Sequence, residues 1–498
     1  MRNYSRIIHS RGRALLVLII VLAGSLSGVT LAQDTTSARQ NEQQPSLNLT
    51  QAINMALANN TEIKRALLTL ESADQQVRIA WSEVLPDISG SATYTRNLEL
   101  PVIFIPQDFS DPNSPLIPIT AGTDNTWSGG FSATQTLFRG EAIVGISSSK
   151  LYKEAQAEGV RAAAQQIVTQ TRLAYYNVLV ALEQYRLQQS TVERLTENLR
   201  ENRARQRAGL IDEYAVLQVE VQLANERPQL TQANYAVEQA YRELKLEMGV
   251  PMELGFTVEG DLASFNILDE EAESEENKNI KKVDRLTPYA YGQDKNLLEI
   301  ASGLRGDIRV LEKQNELQGR EISAIKSRFL PTLSATYNLN WQANDPGNPT
   351  FFGSEDQRVR TQAVMLNLSV PIFQGFERSA NLQIAKIEKK DLELQREFAL
   401  RSAHNEIQSA REALNQSIET APARKKALQQ AREGYKRART RLENGIGSQI
   451  DVTEAEFQLR QAEVNYAQMV YNYLSAKAQY DQSIGMVPFV NEFETEIK

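Results

Sequence analysis

Two stretches of the chain decide its fold: ARQRAGLIDEYAVLQVEVQL at residues 204–223 and TRLENGIGSQIDVTEAEFQL at residues 440–459. In each stretch a helical pattern stops at a glycine, Gly209 or Gly445, and a second helical pattern starts a few residues later. The two glycines are 236 positions apart. A solenoid repeat spans only about 20–50 residues, so this spacing indicates a duplicated subunit instead.

Other short motifs return in the same order. Leu137-Phe138-Arg139-Gly140 corresponds to Ile372-Phe373-Gln374-Gly375, and Leu85-Pro86 corresponds to Leu330-Pro331. Each copy therefore predicts one unit: helix, strand, strand, long helix, shorter helix. The first repeat is predicted at 49–258, with strands at about 87–98 and 125–137 and helices at about 141–207 and 213–248. The second is predicted at 291–487, with strands at about 332–341 and 361–370 and helices at about 377–444 and 450–484.

The segments outside the repeats have distinct compositions. Residues 1–32 carry four arginines and then an apolar run, which is typical of a secretory signal peptide and too short for a membrane-spanning helix. An uncleaved anchor helix is the alternative. Residues 33–48 are polar, 259–290 form a charged linker between the repeats, and 488–498 form a C-terminal tail.

Composition excludes several classes of protein. The net charge is −8 at pH 7 and becomes more negative without the arginine-rich signal, which argues against a nucleic-acid partner. The chain has no cysteine, so disulfides and thiolate metal sites are excluded. Outside the signal the only histidine is His404, and no nucleophile–base pair, phosphate loop or cofactor fingerprint occurs. We therefore expect no enzyme activity, no catalytic residues, no cofactor and no metal site.

Heptad spacing runs through all the predicted helices. The first helix is predicted from Leu49 to Leu85 with Thr50 as its N-cap. The helix at 141–207 would be about 100 Å long at ~1.5 Å per residue, which is longer than any compact core. Its length roughly equals that of the first helix plus the returning helix, so two short helices stacked end to end could lie beside one long helix. The heptad positions that pack between helices are rich in alanine and bury little apolar area. Helices of this length therefore need contacts with other subunits.

The strands alternate between an apolar face and a small, hydroxylated face. About 10 residues is the length of a transmembrane β-strand, and aromatic side chains mark membrane interfaces. The aromatic girdle candidates are Tyr94, Trp127, Tyr337 and Trp341. A soluble half-buried sheet alternates in the same way and remains the alternative. Four strands cannot close a membrane barrel, because the smallest barrels need eight, so membrane strands would require an oligomer.

A different class of protein also fits the heptads. A secreted or periplasmic coiled-coil scaffold without channel activity would show the same seams. The signal peptide and the four alternating strands favour a channel over this scaffold.

The order of elements, the Leu-Pro before strands one and three, and the Phe-x-Gly after strands two and four resemble TolC-like outer-membrane efflux proteins. The resemblance covers about residues 49–487. It implies a mainly α fold with a membrane β-barrel: a homotrimer with a 12-stranded barrel in outer-membrane lipid and a 12-helix periplasmic tunnel. It also implies a passive export function, with a periplasmic adaptor (membrane fusion) protein and an inner-membrane pump or ABC secretion ATPase as partners.

The resemblance places the family's functional residues at the helix tips. Adaptor docking would involve two tripeptides, Ala208-Gly209-Leu210 and Asn444-Gly445-Ile446, although a plain helix cap explains the glycines equally well. Asp451 and Glu454 match a pair of pore-facing acids and would form rings of up to six carboxylates in a trimer. The family's closed-state contacts are not retained here, so the candidate gate contacts are other residues: Arg207, Asp212, Glu213 and Arg441.

Overall fold

The computed structural model describes residues 45–111, 113–262, 297–347, 351, 355 and 358–497. The predicted signal peptide at 1–32, residues 33–44 and most of the predicted linker at 259–290 lie outside these residues. None of the helices in the described ranges carries an apolar stretch long enough to cross a membrane.

The first repeat contains β1 (Ser46–Leu47), α1 (Leu49–Asn59), α2 (Thr61–Ser82), β2 (Asp87–Arg96), β3 (Val102–Pro106), β4 (Leu116–Thr120), β5 (Asn125–Phe138), α3 (Gly140–Arg207), α4 (Glu213–Met248) and β6 (Thr257–Val258). The second contains α5 (Leu297–Leu304), α6 (Gly306–Ser327), β7 (Thr332–Asp345), β8 (Arg358–Ser369), α7 (Glu377–Glu443), α8 (Gln449–Ser483) and α9 (Val490–Ile497).

Strands β2, β5, β7 and β8 form one antiparallel sheet in the order β2-β5-β7-β8. Residues that pair across the four strands form a row, and all side chains of a row point to the same face of the sheet. The register therefore gathers the apolar side chains on one face and the polar side chains on the other. One such row contains Ile88, Ala133, Tyr337 and Val364, and the next row on the other face contains Ser89, Ser132, Asn338 and Ala363. The alternation predicted strand by strand therefore combines into one apolar face and one polar face.

The helices pack side by side in two tiers along the long helices α3 and α7. Next to the sheet the order is α2-α3-α6-α7, and toward the tips it is α4-α3-α8-α7. Ion pairs mark both tiers: Lys153 of α3 binds Asp74 of α2 at 2.6 Å, and Arg203 of α3 binds Glu220 of α4 at 2.6 Å. Two shorter helices thus share the length of each long helix, as the helix lengths predicted.

Each repeat supplies one outer edge of the sheet and of both helical tiers. At every level one edge belongs to the first repeat (β2, α2 or α4), and the opposite edge belongs to the second (β8 or α7). All residues of the two edge strands are exposed, whereas β5 and β7 are partly buried. Within the described residues, β2 and β8 each pair with only one strand.

The main core lies where the two tiers meet. Arg172 of α3 and Asp481 of α8 form an ion pair at 2.8 Å with both side chains almost fully buried. This pair joins the two repeats in the interior. Close by, the hydroxyl of Tyr175 lies 3.0 Å from the carbonyl of Leu47, which ties the short parallel ladder of β1 and β6 to α3. Burial raises the pKa of Tyr175 far above its usual value, so the hydroxyl stays protonated and donates.

At the same level, the helix next to the sheet is interrupted in each repeat, and a glycine at the end of the returning helix packs against the interruption. Gly249 ends α4 with φ +66°, and a Cβ on it would lie 2.5 Å from the carbonyl oxygen of Asn59. Gly485, its counterpart 236 positions later, has φ +77°, and a Cβ there would lie 2.8 Å from the backbone N of Arg305. In both repeats the chain needs glycine because the returning helix ends against the break between two helices.

This break corrects the prediction of one helix from Leu49 to Leu85. The structure has two helices, α1 and α2, because Asn60 leaves helical geometry and its side chain donates to the carbonyl of Glu247 at 2.8 Å. The predicted N-cap, Thr50, is also wrong. Asn48 caps α1 in a reciprocal capping box with Gln51.

Two segments that the sequence characterised only as a polar stretch and a C-terminal tail contain secondary structure. Ser46 and Leu47, within the polar segment 33–48, form β1 and pair with Thr257 and Val258. Within the tail 488–498, α9 packs against α3, where Arg161 binds Glu494 at 2.5 Å. The other predicted strands and helices end within a few residues of the observed bounds.

We predict that Gly249→Ala and Gly485→Ala each lower the free energy of unfolding by about 2 kcal/mol or more, since each adds a left-handed residue and a clash with backbone. Urea unfolding of the detergent-solubilised protein measures this. Gly319→Ala is the matched control, because nothing lies within 4 Å of its added Cβ inside helix α6. Equal stability for all three variants would contradict this explanation of the breaks.

Candidate functional site

The two helix tips have the same construction. At the first, Gly209 has φ +73° and Leu210 donates its N–H to the carbonyl of Arg205 at 3.0 Å. At the second, Gly445 has φ +74° and Ile446 donates to the carbonyl of Arg441 at 3.0 Å. Both are glycine-terminated helix ends, in which the backbone after the glycine turns back and satisfies the last carbonyls. The glycine therefore has a local structural reason at each tip.

The turn gives no structural reason for the apolar side chain that follows each glycine. Leu210 is 74 % exposed and Ile446 is 69 % exposed. An apolar side chain held in water at the same position of both turns contributes little to the fold. These two residues, together with Ala208, Gly209, Asn444 and Gly445, form the surface that we call the tips.

The two predicted pore acids lie in the first turns of α8. Asp451 accepts a hydrogen bond from the N–H of Ser448 at 3.0 Å, and its own N–H donates to the Ser448 hydroxyl at 3.1 Å. These bonds form a capping box and hold the pKa of Asp451 below its usual value, with a smaller effect from Arg441. Glu454 accepts from the amide of Gln458 at 2.8 Å. Both side chains are exposed on the side of α8 away from the buried Val452.

The candidate gate contacts are not brought together. Asp212 caps its own helix by accepting from the N–H of Ala215 at 3.0 Å, and Arg207 donates to the carbonyl of Arg203 on its own helix at 3.3 Å. In the described part of the chain, no hydrogen bond or ion pair links Arg207, Asp212, Glu213 or Arg441 to the other hairpin. Their role in a gate stays a prediction.

Other charged groups do cross between the hairpins, at about three to five helical turns from the tip glycines. Arg194 of α3 binds Glu456 of α8 at 3.1 Å. Arg460 of α8 binds Glu226 of α4, which also accepts from Gln188 at 2.7 Å. We call these four ionic residues the clasp: Arg194, Glu226, Glu456 and Arg460. The clasp joins the α3–α4 hairpin to the α7–α8 hairpin.

Sequence reasoning missed the clasp, although one signal was present. Glu226 occupies a position between Leu223 and Leu230 where the heptad seam of α4 calls for an apolar residue. The acid is buried there. Burial also raises the pKa of Glu456, while Arg194 opposes that shift.

The aromatic girdle candidates share the apolar face of the sheet. The rings of Tyr94 and Trp127 are cross-strand partners with centroids 4.4 Å apart, at the end of the sheet remote from the helices. Trp341 lies two rows closer to the helices, and Tyr337 lies six rows closer. The structure thus places three of the four near one end of the strands and Tyr337 toward the other.

The tips and the first turns of α8 present apolar and charged surfaces for contact. Among the described residues, no group of three or more carboxylate or imidazole side chains could hold a metal ion. The exposed acids Asp451 and Glu454 would instead attract cations if copies of α8 approached one another.

Comparisons with known proteins agree along nearly the whole chain. A family model described as "Outer membrane efflux protein" matches residues 52–250 and 297–486. The outer membrane protein TolC of Salmonella enteritidis is 23 % identical over 444 residues, covering 88 % of this chain and 82 % of that protein. The probable efflux pump outer membrane protein TtgC of Pseudomonas putida is 22 % identical over 420 residues, covering 83 % and 78 %.

Among solved structures, the CmeC outer membrane channel of Campylobacter jejuni superposes with a TM-score of 0.70 at 20 % identity. The superposition covers 96 % of this chain and 97 % of that one. At this identity the likeness establishes a common fold.

We predict that Arg194→Met lowers the free energy of unfolding by about 2 kcal/mol, because it leaves the carboxylate of Glu456 buried without its cation. The loss should be larger at pH 8 than at pH 5. Removing Arg194 raises the pKa of Glu456 further, and a raised folded-state pKa means that stability falls as the pH rises through it. Urea unfolding at the two pH values measures both effects.

Arg200→Met is the matched control, since its ion pair with Glu197 is exposed and lies within α3. We expect a change within about 0.5 kcal/mol at either pH. A pH-independent loss in Arg194→Met would show that the clasp acts only through packing.

Proposed function

The chain belongs to the outer membrane efflux protein family, and from that premise we propose that three copies assemble into a passive exit duct. Membership in this family makes it an outer-membrane protein. The proposed duct has a 12-stranded barrel in the outer membrane and a 12-helix tunnel in the periplasm. Cargo would be small molecules or proteins delivered by a partner, through either a tripartite efflux pump or a type I secretion system.

The observation that carries this proposal is the pair of open edges on the sheet. Strands of 10–14 residues are long enough to cross a bilayer when tilted. In lipid, however, each unpaired backbone group at an open edge costs several kcal/mol. Pairing β8 of one copy with β2 of the next removes both edges, and three copies then supply twelve strands.

The two faces of the sheet suit the two sides of such a barrel. The apolar face carries Ile88, Phe131 and Leu339, which lipid would cover. The opposite face carries Ser91, Ser132 and Asn338, which suit a water-filled lumen. Gly130 lies on this polar face, where an added Cβ would clash with the side chain of Asn340, so glycine allows β5 and β7 to pack closely at this row.

The helical tiers support the same closure. Four helices lie abreast at each level, and the free edges fall on the same sides as those of the sheet. Three copies would therefore set twelve helices around the same axis. Alanine-rich seams such as Ala164 and Ala410 allow the close approach that this ring requires.

The tips are the proposed contact for a periplasmic adaptor, which would connect the duct to an inner-membrane pump or ABC secretion ATPase. Their support is the matched exposure of Leu210 and Ile446 in two identically built turns. The acids Asp451 and Glu454 begin the helix just beyond the second tip. We infer that three copies bring these acids together as the pore constriction.

For the constriction we predict that the double variant Asp451→Asn with Glu454→Gln weakens block by a trivalent cation on the order of tenfold, equal to about 1.4 kcal/mol. The amide oxygen introduced at position 451 can still accept from the Ser448 N–H, so charge is lost while the cap is kept. Single-channel recording in planar bilayers measures the block.

The control for this experiment is Glu238→Gln, an exposed acid far along α4 from the first tip. It should leave the block unchanged. Wild-type protein that forms no ion-conducting channel would reject the duct, whereas conducting channels with unaltered block in the double variant would reject only the constriction.

For the tips we predict that a photo-crosslinking amino acid at Leu210 or Ile446 captures a periplasmic protein with an α-helical hairpin when the chain is produced in its native host. Both side chains are already exposed, so the replacements should not disturb folding. Mass spectrometry identifies the product. The same probe at Gln430, exposed on α7 about four helical turns before the second tip, should not capture it, and identical products from all three positions would contradict tip docking.

A further inference from the structure

A polar groove runs between α7 and α8, beyond the clasp as seen from the tips. It is lined on α8 by Asn465, Gln468, Asn472 and Gln479 and on α7 by Gln416 and Arg424. We call it the amide groove. Its volume of about 540 Å³ falls within the range of about 300–1,000 Å³ that is usual for small-molecule sites. The amide groove is therefore large enough to take a small molecule.

The amide groove shares one face of α8 with the two predicted pore acids. From Asp451 and Glu454 onward, every residue at alternating steps of four and three along α8 is polar, as far as Gln479. Such steps return to one side of a helix that packs in a heptad pattern. In the proposed duct the acids face the lumen, so the amide groove opens to the lumen as well.

The pore acids are too distant to repel an anion at the groove. Asn465 follows Asp451 by 14 residues, which is about 21 Å along the helix. The Debye length at physiological salt is about 8 Å. In a water-filled lumen the charge nearest to the groove therefore decides which ions it attracts.

That nearest charge is Arg424, the only charged residue that lines the amide groove. It occupies the heptad position between the buried residues Ala421 and Leu428, where an apolar side chain is expected. Within the described residues, no hydrogen bond or ion pair engages its guanidinium. The planar donors of a guanidinium match the two oxygens of a carboxylate, so this arginine favours an anionic ligand.

The polar groups around Arg424 keep free hydrogen-bonding capacity. Gln468 donates to Asn472 at 2.9 Å, and Gln461 donates to Asn465 at 3.2 Å. The amide nitrogens of Asn465 and Asn472 stay available as donors, and the amide oxygen of Gln468 stays available as an acceptor. The hydroxyl of Ser475 lines the same groove, is 9 % exposed and has no hydrogen-bond partner in the described part of the chain. A buried hydroxyl without a partner destabilises the fold, which a bonded ligand oxygen would offset.

Packing of a returning helix on a long helix does not require this chemistry. At the matching positions of the first repeat, 236 residues earlier, Val180 corresponds to Gln416 and Gln188 corresponds to Arg424. The first repeat therefore has no cation at this place and one apolar residue in place of an amide. The amide groove is specific to the second repeat.

Resting on the proposed function, we propose that the amide groove is a binding site in the lumen for small carboxylates that carry several hydroxyl groups, such as sugar acids. The guanidinium of Arg424 binds the carboxylate. The amides and the hydroxyl of Ser475 bind the ligand hydroxyls, because amides and hydroxyls both donate and accept. An apolar molecule would leave these groups without partners, so the groove disfavours it.

Binding of D-glucuronate tests the proposal, with D-glucose as the analogue without charge and acetate as the analogue without hydroxyls. Saturation-transfer NMR measures binding to the purified protein in lauryldimethylamine oxide, a detergent that has no sugar headgroup. We expect glucuronate to bind at least about fivefold more tightly than either analogue, because each analogue leaves part of the groove unpaired. Equal affinities for the three compounds would overturn the proposal.

Variants test the named residues. Arg424→Met should weaken glucuronate binding about tenfold, since it removes the charge-assisted bonds. The matched control is Lys426→Met, which removes the same charge from an exposed residue of α7 outside the groove and should bind like wild type. Ser475→Ala should weaken binding without lowering the free energy of unfolding, because its hydroxyl has no partner in the fold. Wild-type affinity in Arg424→Met would overturn the proposal.

Single-channel recording tests the location and separates the two proposals. Glucuronate should reduce the current through wild-type channels and leave the current through Arg424→Met channels unchanged. Glucuronate binding without any effect on the current would place the groove outside the lumen and overturn the proposal. Conducting channels that bind no glucuronate would reject only the groove, whereas a chain that forms no channel would reject the duct on which it rests.

Discussion

The outer edges of β2 and β8 present backbone N–H and C=O groups that pair with no other strand among the described residues. Within the described residues each of these strands has one neighbour, and every residue of both is exposed. The helical tiers leave their own edges open on the same two sides. A sheet and two helical tiers that all stop at matching edges are the geometric basis of the proposed assembly of copies.

The matching edges follow from the duplicated sequence, because both repeats interrupt the helix next to the sheet at the same level. Gly249 and Gly485 each end a returning helix against a break in the sheet-proximal helix. The long helices α3 and α7 continue through this level while their partners change. The buried pair of Arg172 and Asp481 then fixes one repeat to the other. Nearer the tips the clasp holds the two hairpins through ion pairs that are less buried, so this region can separate more readily than the core.

Local patterns were sufficient to predict most of the fold. The heptad seams placed α3, α4, α7 and α8 within about one residue of their observed bounds, because helix periodicity and glycine stops are encoded locally. The break at Asn60 was missed because it depends on Gly249, which is remote in sequence. The clasp was missed for a similar reason: Glu226 and Arg460 are 234 residues apart. The roles of the tips and of the two acids were predicted through a family resemblance and stay predictions, and the structure adds that Asp451 takes part in the capping box of its helix.

The most direct test of the central claim is an electron cryomicroscopy reconstruction of the protein extracted from outer membranes in detergent. We expect a ring of three copies around an open axis, with β8 of each copy hydrogen-bonded to β2 of the next and the Ser132 face turned toward the lumen. A particle in which β2 and β8 remain unpaired, or in which the helices form a solid bundle, would contradict it.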